Sequence, residues 1–242
     1  MSHFFFHSPL IVEEVILLSP EESHHLSVER IKLGSPIFLS DGKGGLFRGI
    51  YEEEKGGRAR IRVQEKVGEE KRSFNLTVWQ AALKKPSRMD WVIEKLTEMG
   101  VSQIGIFSPR RSLTSPISPP RIERWEKIVV SACKQSGRTI FPDLVYLQQW
   151  EDFVVQLSSS PGTVILADPQ GEETLWSFLQ EKKKRNFQIV IGPEGDLTEE
   201  EKKEILEKGR GERIKLTEKI LRSETASLFA ASVVTSFLEE NK

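Results

Sequence analysis

Residues 188–201 read Gln188-Ile189-Val190-Ile191-Gly192-Pro193-Glu194-Gly195-Asp196-Leu197-Thr198-Glu199-Glu200-Glu201. An apolar β-branched run ends in a Gly-Pro-Glu-Gly turn, and Thr198 with Glu201 has the spacing of a capping box that opens a helix. A strand that passes through a glycine turn into a helix is the repeating unit of an α/β protein, so the segment predicts one strand of a parallel sheet. Ligands of such sheets bind beyond the carboxyl ends of the strands, which makes this loop the first candidate site. Glycines on both sides of Pro193-Glu194 let the backbone come close to a ligand. The acids Glu194, Asp196, Glu199, Glu200 and Glu201 suit the positive end of a helix dipole but repel phosphate, which argues against a pyrophosphate site.

The same texture extends in both directions from this loop. Thr77–Leu83, Gln103–Phe107, Thr163–Ala167 and Arg213–Leu216 read as strands. Between them, Ser87–Met99 and Pro119–Ser136 carry apolar residues at helical spacing and stop at Gly100 and Gly137. Glu172–Lys184 reads as a further helix, and Glu224–Leu238, apolar around most of its circumference, as a buried one. The expectation is a parallel sheet covered by helices on both faces. Before residue 70 the texture differs, with a helix or helical turn within Ser19–Leu33 followed by short runs at Pro36–Leu39, Leu46–Tyr51 and Ala59–Val63. Turns at Asp41–Gly45 and Lys55–Gly57 separate these runs, which predicts a small β-barrel or sheet domain. The charged run Gly68–Arg72 reads as a linker, so the expected domains are 1–72 and 73–242.

Composition fits this plan. The chain has 242 residues, 38% hydrophobic and 29% charged, with a single cysteine, Cys133, which excludes a disulfide framework. Phe4-Phe5-Phe6 has no Lys or Arg before it and soon meets Glu13-Glu14, unlike a targeting segment. The most apolar stretch, 226–238, is too short for a bilayer, and a cytoplasmic protein is the expectation. All four histidines lie within the first 25 residues, far from Cys133, so no metal site is expected.

A second strand-to-helix loop runs Leu216-Thr217-Glu218-Lys219-Ile220-Leu221-Arg222-Ser223-Glu224-Thr225. Ser223 is the expected N-cap of the last helix, with Arg222 directly before it and the apolar pair Ile220-Leu221 positioned to line a pocket. Spacing alone also permits Arg222 to pair with Glu224 or Glu194 on the surface.

Gly192-Pro193-Glu194-Gly195 together with Ile220-Leu221-Arg222-Ser223-Glu224-Thr225-Ala226 resembles the SPOUT class of methyltransferases, in particular the ribosomal RNA small subunit methyltransferase E family. Weaker matches in the same order span most of the chain: His25-Leu26, Val28–Gly34, Asp41-Gly42, Glu94–Val101, Ser108–Ser112 and Ala132–Arg138. The resemblance implies a PUA-like β-barrel that holds RNA, followed by an α/β domain with a parallel sheet and a deep trefoil knot. It also implies a homodimer and S-adenosylmethionine as cofactor, held by Gly192, Glu194, Gly195, Leu216, Ile220 and Leu221. The implied reaction is methyl transfer to N3 of a uridine in 16S rRNA, on free rRNA or the small ribosomal subunit. The family usually carries glycine at the positions of Asp196 and Thr217, arginine at that of Lys219 and an acid at that of Lys134.

A sulfonium cofactor without phosphate agrees with the acidic glycine loop. Arg222 is the expected catalytic residue, stabilising charge on the uracil carbonyls, with Glu224 the second candidate, as a base or as a stabiliser of the first helical turn. Attack by nitrogen needs no cysteine nucleophile, and Cys133 reads as structural. Lys84, Lys85, Arg88, Arg110, Arg111 and Arg138 are candidate RNA contacts. The net charge of -1 conceals a division: residues 84–138 carry 11 basic and 5 acidic side chains, and residues 139–242 carry 13 and 19. Two other readings stand beside the enzyme: an RNA-binding scaffold that keeps the fold without catalysis, and a nicotinamide-dependent oxidoreductase, which lacks a Gly-rich fingerprint here.

Overall fold

The computed structural model describes residues 4–111, 116–182 and 184–241. His3 and Ser112, used in the sequence reading, lie outside them. The chain forms two compact units, one of residues 1–72 with 130–141, the other of residues 73–129 with 142–242.

In the first unit, β1 (Phe5–Phe6), β2 (Val15–Leu17), β3 (Pro36–Ser40), β4 (Gly45–Lys55) and β5 (Arg58–Glu69) make a sheet in the order β1-β3-β4-β5-β2, with α1 (Pro20–Val28) between β2 and β3. The strand pairs are antiparallel except β1 with β3. Asp41 holds the β3–β4 turn by accepting from the Lys43 and Gly45 amides at 2.8 and 2.9 Å. Gly68 and Glu69 are not linker, because β5 continues through them opposite Leu46 and Gly45. Glu70 then accepts from Thr139 and Ile140, fixing the segment 130–141 to this unit.

The second unit contains β6 (Asn75–Ala81), α2 (Pro86–Glu98), β7 (Gln103–Phe107), most of α3 (Pro119–Ser136), β8 (Asp143–Leu147), α4 (Trp150–Ser159) and β9 (Thr163–Ala167). It continues with β10 (Glu173–Thr174), α5 (Leu175–Glu181), β11 (Asn186–Ile191), α6 (Glu199–Gly209), β12 (Glu212–Lys215) and α7 (Ser223–Glu240). All seven strands are parallel, in the order β10-β12-β9-β11-β6-β7-β8. β8 and α4 were absent from the sequence expectation, and the expected helix over 172–184 begins only at Leu175, after Glu173-Thr174 has paired with β12. Gly171 makes that pairing possible, since a Cβ there would sit 2.4 Å from the Lys215 amide.

Side chains alternate across the sheet. Trp79, Ala81, Phe107, Val164, Leu166 and Val190 pack with Trp150, Phe153, Leu157 and Ile205 of α4 and α6. α7 contacts β6, β11, α2 and α5, and its buried stripe of Ser223, Ser227, Ala230, Ala231, Val234 and Leu238 is mostly small, which lets the helix lie close to the strands. The buried Gln80 on β6 donates to Ser223 Oγ at 2.9 Å and accepts from Ser227 Oγ. This polar contact fixes where α7 starts, next to the loop that follows β11.

Candidate active site

The loops after β9, β11 and β12 converge at the carboxyl ends of the central strands, where β11 lies between β9 and β6. They enclose a cavity of about 590 Å³, lined by Gly192, Glu194, Leu216, Ile220, Leu221 and Arg222 among others. Those six expected site residues therefore meet, although Gly192 and Arg222 are 30 positions apart in sequence. Gly195 lies on an adjoining cavity of about 410 Å³ with Lys84 and Arg111, and Pro193, Glu194 and Asp196 line both.

Local structure accounts for the loop shapes. Thr198 Oγ1 accepts from the Glu201 amide at 3.2 Å, and the Glu201 carboxylate accepts from the Thr198 amide at 2.8 Å, the capping box read from the sequence. Asp196 has φ 62°, a left-handed conformation that favours glycine. Here the side chain compensates: its carboxylate accepts from the Leu197 amide at 2.8 Å and pairs with Lys202 Nζ at 2.7 Å.

Ser223 is not the N-cap of α7. Arg222 occupies the cap position without a side-chain cap bond, and Ser223, the first helical residue, donates to the Gly192 carbonyl at 2.5 Å. The chain Ser227–Gln80–Ser223–Gly192 thus ties both ligand-facing loops to β6. Gln80 was missed in the sequence, where its one signal is an amide within the apolar run 78–83.

Lys202 is a second residue the sequence reading passed over. Its ammonium is buried, 3.1 Å from Asp168 and 3.3 Å from Glu199 as well as 2.7 Å from Asp196. Arg213 Nε lies 3.5 Å from the same Asp168 oxygen. Burial pushes the Lys202 ammonium down, but hydrogen bonds to Asp196 and Asp168 outweigh it and hold its pKa above the ordinary value. Lys202 and Arg213 therefore offset part of the acidity that the sequence shows around this loop.

The carboxylates expected beside Arg222 have another partner. Arg88, in the first turn of α2, places Nε 3.4 Å from Glu224 Oε1 and Nη1 3.8 Å from Glu194 Oε1. The Lys84 amide also donates to Glu194 Oε1, at 3.3 Å. Among the described residues no ion pair to Arg222 is found, so the surface pairing that spacing permitted is not the arrangement formed.

The remaining basic candidates separate. Lys84, Lys85 and Arg111 are exposed near the carboxyl ends of β6 and β7. Arg110 is bound by Glu204 and Glu151 and lies over the Trp150 ring at 5.4 Å, a bracket between α4 and α6. Arg138 belongs to the first unit, where burial lowers its pKa. Cys133 is buried in that unit too, and burial pushes its thiol up to about 12, which removes it as a thiolate nucleophile. Among the described residues, no group of three or more His, Cys, Asp or Glu side chains is placed to hold a metal ion, and no helix is long and apolar enough to cross a membrane.

Comparison with known proteins agrees with this geometry. The ribosomal RNA small subunit methyltransferase E of Bacillus subtilis is 28% identical, over 90% of this chain and 88% of its own length. That of Synechocystis is 27% identical, over 95% and 75%. The crystal structure of a ribosomal RNA small subunit methyltransferase E from Neisseria gonorrhoeae bound to S-adenosyl methionine superposes with a TM-score of 0.83, at 26% identity and 98% coverage of both chains. The family described as RNA methyltransferase domain matches residues 69–235, and with more than half of its length inside that match, the chain belongs to this family.

Proposed function

We propose that the protein transfers a methyl group from S-adenosylmethionine to N3 of a uridine in 16S rRNA of the small ribosomal subunit. The observation that carries the reading is Arg222, a cation without an ion-pair partner among the described residues, on the wall of a cavity shared with the glycine loop.

The cavity suits the cofactor chemically. Apolar Ala167, Ile191, Leu216, Ile220, Leu221 and Ala226 offer surface to a nucleoside and its methionine chain. The nearby start of α6 presents the exposed Glu199 and Glu200, which disfavours a phosphorylated ligand and tolerates a sulfonium. Gly192, Glu194, Gly195, Leu216, Ile220 and Leu221 would hold it, largely through backbone groups. When bound, S-adenosylmethionine supplies an electrophilic methyl group.

Protein side chains must make the uracil nitrogen nucleophilic. Loss of the N3 proton to solvent water spreads negative charge onto the two flanking carbonyl oxygens, and a guanidinium beside them lowers the cost of that charge. Arg222 takes this role. Glu224, paired with Arg88, acts on the arrangement of the site and not as the base. Lys84, Lys85 and Arg111 contact RNA phosphates from the carboxyl edge of the sheet. The reading includes a PUA-like RNA-binding barrel in residues 1–72, a SPOUT domain with a trefoil knot in 73–242, a homodimer and a cytoplasmic location.

The test is transfer of labelled methyl from S-adenosylmethionine to free 16S rRNA and to small subunits, with nucleoside mass spectrometry of the product. The expected product is 3-methyluridine, and Arg222→Ala lowers turnover roughly 100- to 1,000-fold, as loss of a charge-stabilising donor does. Cofactor binding with no transfer to either substrate favours the RNA-binding scaffold.

A further inference from the structure

We infer that Arg88 is a positioning residue: it occupies the carboxylates of Glu194 and Glu224 and thereby keeps the Arg222 guanidinium free for the anionic edge of the target base. The inference rests on the proposed role of Arg222 and replaces the sequence expectation that Arg88 contacts RNA.

Three observations support it. Arg88 lies between the two carboxylates, at 3.4 Å from Glu224 and 3.8 Å from Glu194, and only 30% of its side chain is exposed. It also stands in the first turn of α2, which holds no acidic residue, so its cation faces the positive end of the helix dipole. A cation placed against this local preference has its stabilising contacts elsewhere, here the two carboxylates. Finally, Glu224 Oε2 is buried without a hydrogen-bond partner, and Glu224 follows Arg222 by two residues. Withdrawal of Arg88 would leave this carboxylate and that of Glu194 without their cation, and Arg222, on the wall of the cavity that Arg88 and Glu194 also line, is the guanidinium left to pair with them.

Glu194 lies in the loop after β11, and Glu224 in the first turn of α7, which follows the loop after β12. Arg88 comes from a third segment, after β6. A single guanidinium therefore pairs with both carboxylates, leaving the cation of Arg222 uncompensated where negative charge develops.

The test compares wild type, Arg88→Met, Arg88→Lys, Glu224→Gln and the Arg88→Met/Glu224→Gln double variant, each shown to be folded by circular dichroism. The first readout is the rate at which phenylglyoxal modifies Arg222, followed by peptide mass spectrometry. Arg88→Met is expected to slow that modification severalfold, with Arg88→Lys and the double variant close to wild type. The second readout is methyl transfer: Arg88→Met lowers kcat roughly 10- to 100-fold with little change in KM for RNA, and much less in the Glu224→Gln background. An unchanged modification rate at Arg222 in Arg88→Met overturns the proposal. So does an equal loss of turnover in both backgrounds, and a rise in KM for RNA would then return Arg88 to the RNA contacts. If wild type transfers no methyl group, the functional reading fails, while the modification rates still decide whether Arg88 keeps Arg222 unpaired.

Discussion

Replacing Lys202 with methionine isolates the buried charge cluster beneath the cavity. The ammonium side chain is 3% exposed and lies within 3.3 Å of three carboxylates, whose own exposures decide the outcome. Asp196 and Glu199 are 60% and 68% exposed and return to water at little cost once Lys202 is gone. Asp168, 1% exposed, cannot. Losing one partner of a buried pair costs about 3–5 kcal/mol when the other charge is left uncompensated. Arg213 at 3.5 Å and the Gln170 amide at 2.9 Å remain with Asp168, so a loss somewhat below that range, about 2–4 kcal/mol, is expected. For a unit of this size that corresponds to a fall in Tm of roughly 5–15 °C. Urea unfolding at pH 7 should show a lower midpoint with an unchanged slope, and Asp168→Asn/Lys202→Met should recover most of the loss. The pH dependence follows from the raised pKa: the Lys202 contribution is complete below its ordinary value of 10.5 and disappears as pH rises through the higher folded value. A loss below about 1 kcal/mol in Lys202→Met, or a double variant no better than the single, would refute a buried charge held by this lysine.

Other perturbations test separate parts of the structure. Gly105→Ala places a Cβ 2.0 Å from the Trp79 ring in the sheet core and should cost about 1–3 kcal/mol or more in urea unfolding. Gln80→Leu removes the link between α7 and the glycine loop; about 2 kcal/mol of stability and a measurable part of cofactor affinity by calorimetry should go with it. Glu204, held down to about 2 by its hydrogen bond to Arg110, stabilises the fold above the ordinary value of 4.5, and this contribution is lost as pH falls through about 2. Acid unfolding of Glu204→Gln should accordingly be less steep in that window. Lys84→Ala and Arg111→Ala should each weaken RNA binding and reduce the slope of log K against log salt by about 1, read by filter binding.

The strands and helices with strong periodicity were legible because burial on both faces leaves a continuous apolar run, as in β11, and because caps such as Thr198/Glu201 are local chemistry. β8 was passed over although Leu144-Val145-Tyr146-Leu147 is an apolar run, because so short a run carries no period that separates a half-buried edge strand from a loop or helix segment. β10 was hidden inside a helical pattern because two residues paired through a glycine contact leave no period to read. At the site, the members of each loop were legible and their partners were not. Arg88 is 106 residues from Glu194 in sequence, and Lys202 beside Asp168 depends on β9 and β11 being neighbours in the sheet. The assignment of Ser223 failed for a related reason: the hydroxyl that suits a helix cap is used by Gln80 and Gly192, which only the packing of α7 brings to it.

The interior position of β6, between β11 and β7, also fixes when the site can exist during synthesis. β6 leaves the ribosome early, but its partner β11 begins 111 residues later and the α7 serines bonded to Gln80 later still. Until those segments emerge, one edge of β6 has no strand beside it, and the pairing then requires closure of a long loop, which slows folding. A nascent chain can assemble its first sheet from neighbours close in sequence, whereas cofactor capture must wait for the start of α7. Premature termination before residue 186 would therefore leave a chain with an exposed strand edge on β6 and no cavity, a species prone to aggregation and not merely a slower enzyme.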